Sequence, residues 1–228
     1  MNTYALSDLH GRYDILEEML DFLQSDDKVY FLGDAIDRGP HGIKIVQHLL
    51  KDKRFIYLKG NHEELMLHSL DKGYYNNYQW SVNGNELTLK ELESLQEKEK
   101  LAIFQALSNL PIEATYYNKN NQKIILCHAG YTPEAPPHYS LNKLWCREHF
   151  FEDWADDENT FLIHGHTPVQ FLSHLILEKD LAEDYFICPR IFSYCGGHKI
   201  DIDLGCFTES NRGVLLNLDT FKPIYFTV

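Results

Sequence analysis

The stretch Lys28-Val29-Tyr30-Phe31-Leu32-Gly33-Asp34-Ala35-Ile36-Asp37-Arg38-Gly39-Pro40 decides how this chain is read. An apolar strand over residues 28–32 runs into a loop crowded with two carboxylates, a guanidinium and two glycines. A helical repeat at Ile43, Val46, Leu49 and Leu50 follows. This is a βα unit with its chemistry at the strand end. The pattern also precedes and follows that stretch. Residues 3–7 form a short strand that opens onto Asp8 and His10, and Ile15, Leu16, Met19, Leu20 and Leu23 then recur at helical spacing. A third strand over 55–58 leads to the loop 59–62 and a helix beginning near Glu63. In α/β sheets ligands gather at the carboxyl ends of strands, so three such loops can converge on one site.

The remainder divides in two. Residues 65–111 read as a helical, polar insertion with an aromatic patch at Tyr74, Tyr75, Tyr78 and Trp80 and a charged run over 87–100. A solvated outer face is the plain reading of that run, and a lid over the site is the sharper one. Strands then return at 122–127, 160–163, 199–202, 214–218 and 223–228, in apolar or alternating patterns that suggest a second sheet packed on the first. No repeat or long linker divides the chain, so residues 1–228 read as a single α/β domain.

Bulk properties narrow the function. With 44% hydrophobic and 24% charged residues and no long apolar run, membrane spanning and disorder are not expected. The polar Ser7-Asp8-Leu9-His10 follows closely on Met1 and leaves no room for a secretory leader, so the chain reads as cytoplasmic. The cysteines Cys127, Cys146, Cys188, Cys195 and Cys206 are odd in number and scattered, which fits reduced thiols in partly buried positions. A net charge of −13 argues against an extended nucleic-acid surface. An anionic substrate would have to be held by local cations, either metal ions or a few arginines.

Five strand-ending loops offer oxygen and nitrogen donors: Asp8 and His10; Gly33-Asp34-Ala35-Ile36-Asp37-Arg38-Gly39-Pro40; Gly60-Asn61-His62-Glu63; Cys127-His128-Ala129-Gly130; and His164-Gly165-His166-Thr167-Pro168. Each has a plain alternative. A loop Asp is a common turn former, Asp37 with Arg38 can close a tight turn, and Asn61 can cap a helix. Asp8 and His10, two apart beyond a strand, are expected on one side of the chain. Together the five loops are hard to explain by packing, because buried charges and imidazoles are costly unless paired or metal-bound.

In order and content, these motifs resemble the signature of calcineurin-like metallophosphoesterases, in the phosphoprotein-phosphatase branch, and most of all its small bacterial and phage protein phosphatases. The match runs from residue 8 to about 168, with a plausible tail through Asp203-Leu204-Gly205. Three positions depart from the family pattern: Ser7 where Gly is frequent, Lys59 where Arg is frequent, and Ala129 in place of the commoner Gly. The resemblance implies an αββα sandwich of two mixed sheets flanked by helices. It also implies two divalent ions, Mn²⁺ foremost with Fe or Zn²⁺ as alternatives, and direct attack of a metal-bridging hydroxide on a phosphomonoester. Asp8 and His10 would bind one ion and Asn61, His128 and His166 the other, with Asp34 bridging. His62 would be the proton donor, oriented by Asp37, and Arg38, Arg147 and Asn61 would hold the phosphate.

The remaining histidines, His41, His48, His68, His138, His149, His174 and His198, match no motif and are expected at the surface or locally bonded. His164 would share the face of His166 in an extended segment and is assigned either to structure or to support of the site, while Asp203 is expected to support it. The leading expectation is a phosphatase of phosphoserine and phosphothreonine proteins, extending to phosphotyrosine. Its rival is a diadenosine tetraphosphate hydrolase, which shares the same metal motifs, and the aromatic patch at 74–80 could stack on adenine. A non-catalytic module that binds phosphorylated ligands is disfavoured by the intact donor set. A nuclease is disfavoured by the acidic charge and by Thr167-Pro168 after His166.

Overall fold

The strand that opens the chain, β1 (Thr3–Leu6), has both faces buried: Tyr4 and Leu6 join one apolar cluster and Ala5 another. Alternate residues of a strand point to opposite sides, so a strand with no polar face must lie between two packed layers. A computed structural model describes residues 1–72, 78–131, 143–152, 158–174 and 184–228, side chains excepted at 70–72 and 173–174.

In the first sheet β1 pairs in parallel with β2 (Lys28–Phe31), and β2 in parallel with β3 (Phe55–Tyr57). The antiparallel β9 (Arg212–Asn217) and β10 (Pro223–Thr227) complete the order β10-β9-β1-β2-β3. The helices α1 (Tyr13–Phe22) and α2 (Gly42–Lys51) make the crossovers. The second sheet has the order β4-β5-β6-β8-β7, built from β4 (Glu113–Tyr117), β5 (Lys123–Cys127), β6 (Thr160–His164), β7 (Phe192–Tyr194) and β8 (Lys199–Asp201). Its strands β5, β6 and β8 are parallel, and β4 and β7 are antiparallel edges. Between the sheets, Ala5, Leu32 and Leu216 meet Ile124, Leu126, Ile163 and Ile200 in one buried cluster. The two packed mixed sheets with flanking helices are the architecture expected from sequence; β4 and β7 are additions to it, and β9 and β10, expected in the second sheet, instead extend the first beyond β1.

The segment after β3 carries α3 (Asn61–Lys72), α4 (Tyr78–Ser81), α5 (Glu86–Glu93) and α6 (Glu97–Ser108). Its inner face is more than a cover. Trp80, Leu92, Ile103, Phe104 and Leu107 are buried in the same cluster as α1, α2 and the first sheet. Glu91 of α5 accepts the Ile43 N–H at 2.9 Å, satisfying a free donor at the start of α2. The outer face is solvated, as expected from its charged run. Of the aromatic patch, Trp80 is buried and Tyr78 exposed, while Tyr74 and Tyr75 lie outside the described residues.

The loops after β2 and β3 touch backbone to backbone. Gly33 has φ 98°, and a Cβ there would strike the backbone of Gly60. We expect Gly33→Ala to lose on the order of 3 kcal/mol of stability, from overpacking added to left-handed backbone strain. Urea denaturation measures this, and an unchanged midpoint would contradict the close approach.

Candidate metal centre

Six loops reach the site, and each leaves the carboxyl end of a parallel strand. Those after β1, β2 and β3 carry Asp8 and His10, Asp34 to Arg38, and Asn61 with His62, and those after β5, β6 and β8 carry His128, His166 and Asp203. The first two loops zip together beyond their strands, with Asp8 N–H donating to Gly33 O at 3.1 Å and His10 N–H to Asp34 O at 3.0 Å. The sheets are stitched at the site itself. His128 Nδ1–H donates to Leu32 O at 2.9 Å and the His166 N–H to Asp8 Oδ2 at 3.0 Å.

Ten non-glycine residues among those described have positive φ, and six belong to the site: Asp8, His10, Asp34, Asp37, Arg38 and His166. Left-handed backbone costs a non-glycine residue roughly 1–2 kcal/mol, and such strain persists where the surroundings impose it. This corrects the sequence expectation for Asp8 and His10. Strand alternation does not bring them together, because φ is 53° at Asp8 and 42° at His10. A sharp turn does so, leaving Asp8 Oδ1 4.0 Å from His10 Nε2.

Two groups of donors each lie within 4.8 Å of one another, His10 with Asp34 and His62, and Asp34 with His128 and His166. Asp34 is common to both, its Oδ2 3.5 Å from His10 Nε2 and 3.5 Å from His128 Nε2. Asn61 Oδ1 sits 2.7 Å from His128 Nε2 and 2.9 Å from His166 Nδ1. Backbone carbonyls fix the imidazole tautomers. Nδ1–H of His10 donates to Ile36 O at 2.8 Å and that of His128 to Leu32 O, so both Nε2 lone pairs face the centre. His128 Nε2 and Asn61 Oδ1 are then two acceptors face to face, an arrangement that repels unless a cation lies against both. Asp8 Oδ1 and His166 Nε2 are also buried without a partner. These unsatisfied lone pairs and the mixed oxygen and nitrogen set fit a divalent cation.

Electrostatics agree. Burial, reinforced by the charge of Asp203, raises Asp8 well above the usual carboxylate range; burial with the charges of Asp8 and Glu63 does the same to Asp34. Burial pushes His128 down to about 3 and lowers His10 and His166. Carboxylates that resist ionisation and imidazoles that resist protonation make a cluster short of positive charge.

Around the donors, His62 Nδ1–H gives a 2.6 Å hydrogen bond to Asp37 Oδ2. Asp37 is itself held by Trp80 Nε1–H at 2.8 Å and by the Thr88 hydroxyl at 2.7 Å. Sequence reasoning missed both supports, which lie 43 and 51 residues away. Arg38 donates to His10 Nε2 at 2.8 Å and to His62 Nε2 at 3.0 Å, and its guanidinium lies 4.2 Å over the Phe207 ring. Arg147 donates to Thr167 Oγ1 at 3.1 Å, while Lys59 is taken up by Glu64 at 3.1 Å. Ser7, at a position of departure, hydrogen-bonds Asp8 Oδ2.

Glu63 received no role from sequence. Its buried carboxylate accepts from Asp34 N–H, Ala35 N–H, Gly60 N–H and Tyr57 Oη–H, at 2.8–2.9 Å. Of the two roles expected for His164, structure or support of the site, the structural one fits its placement. His164 bonds Tyr194 Oη at 2.8 Å, as does His149 at 2.7 Å, in a buried group behind the site. His149 is therefore interior and bonded. His138 and the side chain of His174 lie outside the described residues. The cysteines are free thiols, with Cys127, Cys146 and Cys206 buried, Cys195 half-buried and Cys188 exposed.

Donors on the carboxyl ends of two packed sheets, with an arginine and a carboxylate-held histidine beside them, define a metal-dependent phosphoester hydrolase site. The family model for calcineurin-like phosphoesterases matches residues 1–202, and the chain belongs to that family. It is 27% identical to the asymmetrical bis(5'-nucleosyl)-tetraphosphatase PrpE of Halalkalibacterium halodurans, over 72% of this chain and 78% of that one. It is 30% identical to serine/threonine-protein phosphatase 2 of Escherichia coli, over 56% of this chain and 58% of the other. A solved structure described as a putative diadenosine tetraphosphatase superposes with a TM-score of 0.65, covering 99% of this chain and 92% of that one at 18% identity. Among the described residues no helix is long and apolar enough to cross a membrane.

Cation binding requires ionised carboxylates and neutral imidazoles. The histidines are already neutral, so protons must leave Asp8 and Asp34, whose raised pKa values keep them protonated to higher pH than usual. Loading the metal-free chain should release more protons at pH 5.5 than at pH 8. Calorimetry in buffers of different ionisation enthalpy measures this, and a release that grows with pH would contradict the charge reading.

Proposed function

We propose that this chain is a metal-dependent hydrolase of dinucleoside polyphosphates. The observation that carries this reading is the placement of two half-buried rings at the donor cluster. Phe207 lies 5.1 Å from the His10 ring and Trp145 lies 5.7 Å from the His166 ring. Nucleobases stack on such rings, so a substrate with a base at each end could meet an aromatic on either side of the metals. The likeness to a bis(5'-nucleosyl)-tetraphosphatase over most of both chains supports the same substrate class.

In this reading Asp8, His10 and Asp34 would hold one divalent ion and Asp34, Asn61, His128 and His166 a second, with manganese suited to the donors. When bound, the ions polarise phosphoryl oxygens and activate water for attack on phosphorus. The chain's own residues do the rest. Arg38, Arg147 and Asn61 hold phosphate oxygens, and guanidinium pairs of this kind are charge-assisted. Asp37 holds the His62 Nδ1–H, and its carboxylate would support the doubly protonated ring whose Nε2–H passes to the leaving group.

A second reading, a phosphatase of phosphoserine and phosphothreonine proteins, is favoured by that same pair. A departing alkoxide needs a proton far more than a departing nucleotide phosphate does, and the likeness to serine/threonine-protein phosphatase 2 points the same way.

The test is to titrate chelator-stripped protein with Mn²⁺ and assay diadenosine tetraphosphate, a phosphothreonine peptide and p-nitrophenyl phosphate, with Asp34→Asn as the inactive control. We expect the highest kcat/KM on the dinucleotide. A higher value on the peptide moves the chain to the second reading. His62→Asn should slow the peptide reaction by about 10²–10⁴-fold, with a smaller loss on the dinucleotide and the aryl phosphate. Equal losses on all three would remove His62 as proton donor.

A further inference from the structure

Asp37, the partner of His62, is gripped by two residues of the helical segment, Trp80 of α4 and Thr88 of α5. Neither helix contributes to the two donor groups. The Trp80 Nε1–H donates at 2.8 Å to Asp37 Oδ2, the same oxygen that accepts His62 Nδ1–H at 2.6 Å. The Thr88 hydroxyl donates to Asp37 Oδ1 at 2.7 Å and accepts the Asp37 N–H at 2.9 Å, closing a ring across backbone and carboxylate. In the turn between the two helices, Gly84 O accepts the Arg38 N–H at 2.8 Å. Asp37 and Arg38 have φ of 70° and 66°, so the segment braces two consecutive residues in left-handed backbone.

Left to itself, an aspartate carboxylate turns over a broad range about its last side-chain torsion. Hydrogen bonds on both oxygens stop that rotation. An indole N–H can only donate, and a buried one needs an acceptor. Here it is spent on a carboxylate that a histidine also uses, in a charge-assisted bond that fixes which oxygen faces His62. Asp37, His62, Trp80 and Thr88 are all closed to solvent, so water does not replace a bond that is lost. Placement of this kind has kinetic weight, because a misplacement of about 1 Å can cost on the order of 10² in rate.

We propose that Trp80 and Thr88 are positioning residues for proton delivery, which hold Asp37 so that His62 Nε2 meets the oxygen leaving phosphorus. In that step the P–O bond breaks with its electron pair on the leaving oxygen, the proton passes to it from His62 Nε2, and Trp80 and Thr88 keep their own protons. A good leaving group departs without the proton and a poor one needs it. The effect of the two residues therefore grows as the leaving group worsens. The inference rests on His62 as the proton donor and holds for either substrate class.

The experiment measures kcat and KM of the manganese-loaded full chain on phenyl phosphate and p-nitrophenyl phosphate, with Mn²⁺ affinity by calorimetry alongside. Thr88→Val keeps the size of the side chain and removes the hydroxyl. We expect it to lower kcat about tenfold on phenyl phosphate and about twofold or less on p-nitrophenyl phosphate, with KM and Mn²⁺ affinity within about twofold of wild type. Thr88→Ser should restore most of the loss. Trp80→Phe, which keeps a buried ring and removes the N–H, should show the same leaving-group pattern and decides the matter where Thr88→Val does not fold. In a His62→Asn background neither change should cost more than about twofold, because residues that act through one another are not additive. Equal losses on the two esters, a loss as large without His62 as with it, or no rescue by Thr88→Ser overturns the inference. Equal losses on both esters from His62→Asn itself overturn the proton-donor reading and this inference with it. A steep leaving-group dependence in His62→Asn that neither Thr88→Val nor Trp80→Phe shares overturns this inference alone.

Discussion

The spacing of the donors that follow β2 and β3 depends on one buried carboxylate. Glu63 gathers three backbone N–H groups and the Tyr57 hydroxyl, and in doing so binds the loop after β2 to the loop after β3. Hydrogen bonds to a charged group contribute about 1.5–3 kcal/mol each, enough to hold several residues in left-handed backbone. Once these loops are joined, Asp34 Oδ1 accepts the His62 N–H at 3.0 Å, and the start of α3 is fixed against the Asp34 carboxylate. A residue outside both donor groups thus sets the spacing of Asp34, Asn61 and His62. The glycines at 33 and 60 are the other half of this device, because only bare backbone allows the loops so close.

The second sheet is positioned by fewer but more consequential contacts. His128 reaches Leu32 O, and the backbone of His166 reaches the Asp8 carboxylate, so two donors from one sheet are oriented by groups on the other. The cluster therefore exists only while the sheets are docked, and the apolar layer between them serves the chemistry as directly as the donors do. In the other direction, a cation held by both sheets would offset the mutual repulsion of Asp8, Asp34 and Asp203 and lock the interface. Folding and metal affinity are two views of the same contact.

Much of this was legible in the sequence because the relevant signals are local. An apolar run ending in Asp, His or Asn marks a strand and its functional loop within ten residues, and three consecutive βα units give the parallel half-sheet. What was not legible is long-range or depends on backbone angles. Asp8 and His10 meet through positive φ, which no spacing rule reports. Trp80 and Thr88 act on Asp37 from a helical segment whose polar composition suggested a cover. The edge strand Glu113–Tyr117 alternates exposed and half-buried residues and has no buried position, so it lacks the apolar signature that marked β5 and β6. His164 ends β6 and so looked like a companion of His166, but the φ of 72° at His166 turns the backbone between them and sends the rings apart.

The helical segment gives the molecule a division of labour. The candidate metal donors and Arg38 come from the loops of the two sheets and, under the proposed reading, would respond to the phosphoryl group, which is common to every phosphoester. The orientation of His62 comes from Asp37, and Asp37 is held from outside the sheets by Trp80 and Thr88. Proton delivery matters little for an anhydride and greatly for an alkyl ester. With His62 as the proposed proton donor, packing of this segment would tune which leaving groups are released well without disturbing the donor cluster. Under the proposed reading, the choice between a dinucleotide and a phosphoprotein rests on two separable features, the support of the His62–Asp37 pair on one side and the rings of Phe207 and Trp145 at the donor cluster on the other.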